Sequence, residues 1–121
     1  MIALRLELEN YRNYTRQELD FGEGVNVIYG DNAQGKTNIL EAVYFFAMGK
    51  SNRARTDAEL IRYGEDKARI CLEFSDRSRT NVIDAEIYRD KRKKIQINEI
   101  PIKRSSELVR RFNVVYFGPE Y

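Results

Sequence analysis

An α/β fold is predicted, a mixed sheet around one long helix with an antiparallel β layer beside it, and three observations predict it. Apolar and polar residues alternate with period 2 at the start of the chain and again through its middle third. One stretch, Lys36 to Met48, carries good helix formers and aromatics at helical spacing. Between a β-branched run and that stretch stands Gly30-Asp31-Asn32-Ala33-Gln34-Gly35-Lys36-Thr37, a glycine-rich segment of the kind that joins a strand to a helix.

Ile2, Leu4, Leu6 and Leu8 alternate with Ala3, Arg5, Glu7 and Glu9, which predicts a strand with those four apolar side chains on one buried face. Asn10-Tyr11-Arg12-Asn13-Tyr14 predicts a turn or loop, and Gln17 to Phe21 a returning strand that completes an antiparallel pair. Gly22 and Gly24 punctuate the chain before Val25 to Tyr29, a short interior strand. The helix from Lys36 to Met48 ends at Gly49, where a C-terminal cap belongs. Its second half, with Tyr44, Phe45 and Met48, has few polar positions and predicts cover on more than one side. A shorter helix is expected from Asp57 to Tyr63, closed by Gly64.

In the middle third, Ile70, Leu72 and Phe74, then Ile83, Ala85 and Ile87, alternate with polar residues and predict an antiparallel meander. Asp90 to Lys93 reads as a turn, Ile95 to Ile97 as a strand, Asn98-Glu99 as a second turn and Ile100 to Ile102 as a further strand. Ser105 or Ser106 can cap a brief helix through Arg111, and Asn113 to Phe117 reads as a buried strand.

Composition narrows the chemistry. With 121 residues the chain is one small domain or a piece of one. Hydrophobic residues at 42% and charged residues at 33% are ordinary for a folded chain, and a net charge of +2 is too mild to identify a nucleic-acid partner by itself. The absence of histidine removes imidazole bases, His-paired nucleophiles and Cys/His zinc sites. Cys71 has no intrachain disulfide partner and reads as a small buried hydrophobe. The longest uncharged apolar run, Ala42 to Met48, falls far short of the roughly 20 residues a membrane span needs. A soluble, cytoplasmic protein with no membrane partner is expected.

Gly30 to Thr37 fits G-x-x-x-x-G-K-[ST] in full, with an apolar strand before it and a helix after it. A polyphosphate must be wrapped at close range by donors with no side chains in the way, which glycine permits and a helix N-terminus favours. Gly30, Asp31, Asn32, Ala33, Gln34, Gly35, Lys36, Thr37 and Asn38 are therefore the expected nucleotide-binding residues. Lys36 is expected to reach the β- and γ-phosphates of ATP and Thr37 to ligate Mg²⁺, which makes these two the catalytic candidates. Hydrolysis also needs a carboxylate at the end of an apolar strand, and Glu73 and Asp84 are better explained as wet-face residues of alternating strands. The core-like run Val114 to Phe117, so near the end of the chain, suggests that covering structure follows it.

Leu-x-Leu-x-Asn-Tyr-Arg-Asn-Tyr at the start, Gly-Asp-Asn-Ala-Gln-Gly-Lys-Thr-Asn-Ile-Leu-Glu-Ala, Gly49-Lys50-Ser51-Asn52-Arg53 and Phe117-Gly118-Pro119-Glu120 together resemble the RecF family of bacterial DNA replication and repair ATPases. That family is similar to the ATP-binding-cassette (ABC) type heads of SMC-like proteins. Tyr11 stands where its heads often have Phe.

The resemblance implies that residues 1–121 are an N-terminal P-loop ATPase lobe, without the signature-motif lobe and the Walker B acid that complete such heads. It implies an intact protein that is a slow DNA-dependent ATPase and dimerises with ATP. That protein would bind single-stranded and duplex DNA at gaps or junctions, work with RecR, and act in recombinational gap repair and SOS induction. These residues alone are expected to be inactive. Arg12 and Asn13 are expected near the nucleotide, or else in a plain surface turn. Lys50, Arg53 and Arg55 are DNA-contact candidates, or else a solvated loop with no nearby acid before Asp57. The cluster Arg89, Lys91, Arg92, Lys93 and Lys94 reads as a DNA contact or a solubilising turn. The alternatives are another SMC-like or ABC-type head, or a non-catalytic partner-docking module.

Overall fold

The computed structural model describes residues 2–21, 33–76, 79–104, 106–108 and 116–117, with the backbone alone at 33–36 and 116–117. Strands β1 (Ile2–Tyr11), β2 (Tyr14–Asp20), β3 (Lys67–Asp76), β4 (Arg79–Tyr88), β5 (Lys94–Ile97), β6 (Ile100–Pro101) and β7 (Tyr116–Phe117) form one seven-stranded sheet. Its order is β2-β1-β3-β4-β5-β6, every neighbour antiparallel, while β7 runs parallel to β1 and makes the sheet mixed. One helix, α1 (Ala33–Met48), and a 3-10 turn at Asp57–Leu60 complete the named elements among the described residues.

The register explains the core. Leu19, Leu6, Leu72, Ile83 and Ile97 are successive cross-strand partners over β2, β1, β3, β4 and β5, and all five are buried. A second row, Leu8, Ile70, Ala85 and Ile95, lies two residues along and is also buried. These are the alternating apolar residues of the predicted N-terminal pair, of the predicted meander and of the strand after it, and one face of the sheet takes them all. The opposite face is charged. Arg69 forks onto Asp84 at 2.9 and 2.8 Å, and Glu18 accepts from both Arg5 and Arg16 at 2.6 Å. Asp84 is thus a wet-face ion-pair partner, and half-buried Cys71 beside it has its thiol pushed up to about 11 by burial and then by the Asp84 charge.

The start of β1 corrects the expected face. Leu6 and Leu8 point inward, but Ile2 is 42% exposed while Ala3 is fully buried. An extra residue in β1 between Ala3 and Arg5 shifts its register against β3, and such a bulge turns the preceding side chains to the other face. The expected five-residue loop is also shorter than predicted, because β1 continues through Tyr11 and β2 resumes at Tyr14. Only Arg12 and Asn13 make the turn. Asn10 (φ 49°) and Arg12 (φ 55°) flank Tyr11 in the left-handed region, and the fully buried Tyr11 ring takes the inward position that simple alternation assigns to Asn10.

Helix α1 starts at Ala33, earlier than predicted, and buries Ile39, Ala42, Val43, Phe45 and Phe46. Phe45 and Phe46 meet edge to face at 5.7 Å. The helix stops at Gly49 (φ 76°), whose N–H bonds the Phe45 carbonyl at 2.8 Å. The predicted second helix is only the 3-10 turn, after which Ile61 bridges to Tyr11. The Asn98-Glu99 turn has positive φ at both residues (50° and 70°), the two-residue geometry that suits a right-twisted hairpin. Residues 106–108 are helical. The predictions for Val25 to Tyr29, for the rest of the Ser105 to Arg111 helix and for residues 113–115 lie outside the described residues.

Gly64 tests this backbone reading. Its φ is +88°, and a Cβ placed there meets nothing within 4 Å, so Gly64→Ala should lower stability only by backbone strain, about 1 kcal/mol. Phe74→Ala, in the core, should cost about 3–5 kcal/mol. Urea unfolding midpoints of the two variants check the contrast.

Candidate functional site

The site is assembled where the β1–β2 turn, the first half of α1 and the loop after α1 converge. Two backbone hydrogen bonds bring the turn into place: Arg12 N–H to the Leu60 carbonyl at 2.7 Å, and Arg62 N–H to the Asn10 carbonyl at 2.8 Å. They fix the end of β1 against the 3-10 turn. Tyr11 then points inward toward α1 and Arg12 lies over it.

Glu41 is the centre of the arrangement. It is a carboxylate on α1 with 1% of its side chain exposed. Its Oε1 accepts from the Tyr11 hydroxyl at 2.7 Å, from Arg12 Nε at 3.0 Å and from Arg53 Nη2 at 2.8 Å. Its Oε2 accepts from Arg12 Nη2 at 2.7 Å and from the Ser51 hydroxyl at 2.5 Å. Burial acts to raise its pKa, but the hydrogen bonds from Arg12, Ser51, Arg53 and Tyr11 prevail and bring it down to about 2. The same contacts act on Tyr11, whose phenol is raised by burial and then by the neighbouring carboxylate.

Ser51 organises the following loop as well, since its Oγ accepts from the N–H groups of Arg53 and Ala54, both at 2.9 Å. Arg53 reaches a second acceptor, Asn38 Oδ1, at 2.7 Å. Arg12, Asn13 and Asn38 line a cleft of about 440 Å³, together with Ala58, Glu59, Ile61, Tyr63 and Arg89. Tyr63 stands 94% exposed at its rim.

Of the expected nucleotide-binding residues, Gly30, Asp31 and Asn32 lie outside the described residues. Ala33, Gln34, Gly35 and Lys36 form the first turn of α1, whose N–H groups have no partner within the helix and suit an anion. Thr37 is exposed and Asn38 buried in the next turn. Arg12 and Asn13 stand beside Asn38, with Asn13 Oδ1 at 3.5 Å from Asn38 Nδ2.

The three DNA-contact candidates are in different circumstances. Lys50 and Arg55 are exposed, whereas Arg53 has an acid after all, twelve positions back on α1. In the basic cluster, Lys93 bonds Asp57 at 2.8 Å, Arg89 bonds the Glu65 carbonyl at 2.7 Å and Lys91 lies over the Tyr88 ring at 4.4 Å.

Sequence alone does not mark Glu41 or the Tyr11 hydroxyl, and it marks Ser51 only as part of the Gly49-Lys50-Ser51-Asn52-Arg53 stretch. A glutamate amid helix formers carries no local mark of burial. The available signal is the Tyr at position 11, whose hydroxyl needs an acceptor when the ring is buried.

A family profile described as an AAA domain matches residues 5–115. The DNA replication and repair protein RecF of Lachnospira eligens is 45% identical over 120 residues, covering 99% of this chain and 33% of that protein. RecF of Clostridium botulinum is 49% identical with the same coverage. The chain thus spans about a third of the length of the curated relatives it matches. The solved structure of the recombination mediator protein RecF with ATP superposes with a TM-score of 0.79 at 33% identity, over 91% of this chain and 31% of that one. An SMC ATPase, from work on ATP-driven dimerisation and DNA-stimulated activation, gives a TM-score of 0.75 at 26% identity, over 91% of this chain and 76% of that one.

The buried carboxylate predicts a pH effect. Since Glu41 has a folded pKa of about 2 against an ordinary 4.5, its contribution to stability is complete above the ordinary value and is lost as pH falls toward 2. The loss should amount to roughly 3 kcal/mol. Unfolding free energies from urea titrations at pH 7 and pH 2 should differ by that much more in the wild type than in Glu41→Gln.

Proposed function

Since this chain belongs to the AAA domain family and is homologous over nearly all of its length to RecF, we propose that it is the ATP-binding lobe of a DNA replication and repair protein. The observation that carries the reading is the position of the motif. Its second half forms the opening turn of α1, next to a cleft lined by Arg12, which shares the Glu41 carboxylate with Arg53 behind it.

These residues fit a polyphosphate. The first-turn N–H groups and Arg12 supply positive charge, Lys36 would add its ammonium, and Asn13 and Asn38 supply side-chain amides to the cleft. Thr37, exposed in the same helix, would hold Mg²⁺ through its hydroxyl. The metal would supply neutralisation of phosphate charge. The chain's own groups bind and orient the triphosphate, and Lys36 would place its ammonium on the transferring end. Hydrolysis would be slow and DNA-dependent, and complete only in the intact protein.

The further elements of the reading concern that intact protein: an ATP-dependent dimer in the cytoplasm, contact with single-stranded and duplex DNA at gaps or junctions, and cooperation with RecR in gap repair and the SOS response. The ATP-bound RecF structure and the SMC ATPase of ATP-driven dimerisation support the nucleotide and dimer parts. Among the described residues no helix is long and apolar enough to cross a membrane.

Lys36→Ala should weaken ATP binding to the intact protein by tenfold or more, on the order of the loss of one charge-assisted phosphate contact. Equilibrium titration checks it, and unchanged affinity refutes the assignment. For DNA, exposed Lys50 and Arg55 are the cations to neutralise. The log–log salt dependence of duplex binding should flatten by roughly 0.9 for each phosphate contact removed. An unchanged slope assigns both residues to solvent.

A further inference from the structure

Glu41 is surrounded by more positive charge than it neutralises. One carboxylate faces the guanidinium groups of Arg12 and Arg53 at 2.7 and 2.8 Å, so these three groups keep one positive charge in excess, while Glu59 and Arg89, which line the same cleft, carry opposite charges. The excess is accessible, since the two arginine side chains are 26% and 32% exposed while Glu41 lies beneath them. Its location is specific. Arg12 lines the cleft beside α1, and Arg53 bonds Asn38, the residue that follows Thr37.

We infer that Glu41 is a positioning residue for polyphosphate binding: it touches no ligand, and holds the Arg12 and Arg53 guanidinium groups in the orientation that receives the nucleotide's phosphates. The inference rests on the nucleotide-binding reading of Gly30 to Thr37. Its physical content is preorganisation. Two long side chains that would otherwise sample many rotamers surrender that freedom during folding, so it is not lost again when an anion arrives. The Arg12 fork is bidentate on the carboxylate, which fixes the plane of the group as well as its place. The Tyr11 and Ser51 hydroxyls supply uncharged donors. They stabilise the buried carboxylate without adding charge.

Nucleotide is favoured over DNA as the anion because Arg12 reaches the cluster from the cleft side, where Asn13 and Asn38 present amides next to the phosphate-binding helix. The exposed cations of the following loop, Lys50 and Arg55, are not in the Glu41 cluster.

The test is to titrate ATP and AMP, each with Mg²⁺, into the intact protein as wild type, Glu41→Gln, Glu41→Asp, the Arg12→Ala/Arg53→Ala double variant, and that double variant with Glu41→Gln added. Thermal melts establish which variants fold, and Lys36→Ala is the control for the nucleotide site itself. Glu41→Gln should weaken ATP binding roughly tenfold and AMP binding far less, because AMP lacks the β- and γ-phosphates. Glu41→Asp, which keeps the charge, should recover part of the loss. Adding Glu41→Gln to the double-arginine variant should leave ATP affinity unchanged, since Glu41 acts through those two groups.

Equal losses for ATP and AMP, or a full Glu41→Gln effect in the absence of both arginines, would reduce Glu41 to a structural role and overturn the inference. Unchanged ATP affinity with altered DNA affinity would overturn it too, and assign the pair to DNA. If Glu41→Gln does not fold, the aspartate variant decides: ATP affinity equal to wild type overturns the inference, and a loss confined to ATP supports it. ATP binding that survives Lys36→Ala would instead refute the nucleotide reading on which the inference stands, whatever the Glu41 variants do.

Discussion

A buried carboxylate cannot stay ionised without donors, and that constraint ties this structure together. Glu41 draws them from two places far apart in the chain: Tyr11 and Arg12 where β1 runs into its turn, and Ser51 and Arg53 in the loop after α1. Removing one partner of such a group strands a charge, and typically costs about 3–5 kcal/mol. The turn, the helix and the loop are therefore fixed relative to one another by electrostatics as much as by apolar packing. The sheet contributes the frame, because the Asn10–Arg12 stretch is held against the 3-10 turn by backbone hydrogen bonds before any side chain is considered.

The same constraint changes how the basic residues are understood. Arg53 belongs to a charged, cleft-side cluster, while Lys50 and Arg55 face solvent. Lys93, Arg89 and Lys91 in the hairpin turn have partners within the chain, which makes that turn a fastening as well as a basic surface. A net charge of +2 thus conceals local surpluses whose positions the tertiary fold decides.

Much of this was legible in the sequence where the signal is local. Strands β3, β4 and β5 follow from alternation because one face of each is buried and the other wet, as Ile70, Leu72, Ile83 and Ile97 show. The motif at Gly30 to Thr37 was legible for a similar reason, its residue types and spacing being contiguous. Ile2 and Ala3 exchanged faces because a bulge is a property of strand pairing, which the pattern of one strand does not contain. Arg53 has no acid close to it in sequence because its partner lies across a helix terminus, at Glu41. Glu41 itself carries no local mark, since a glutamate between Leu40 and Ala42 is indistinguishable from an exposed helix former until the fold brings two arginines onto it.

The central claim is that the arginines held by Glu41 and the glycine-rich segment at the start of α1 serve the same ligand. Arginine side-chain NMR tests it most directly, by following the Nε–H resonances of Arg12 and Arg53 and the backbone amides of Gly35 and Lys36 while ATP and Mg²⁺ are added to the intact protein. The account predicts that all four signals shift along one saturation curve. Saturation of the Gly35 and Lys36 amides with both arginine signals unmoved would contradict it.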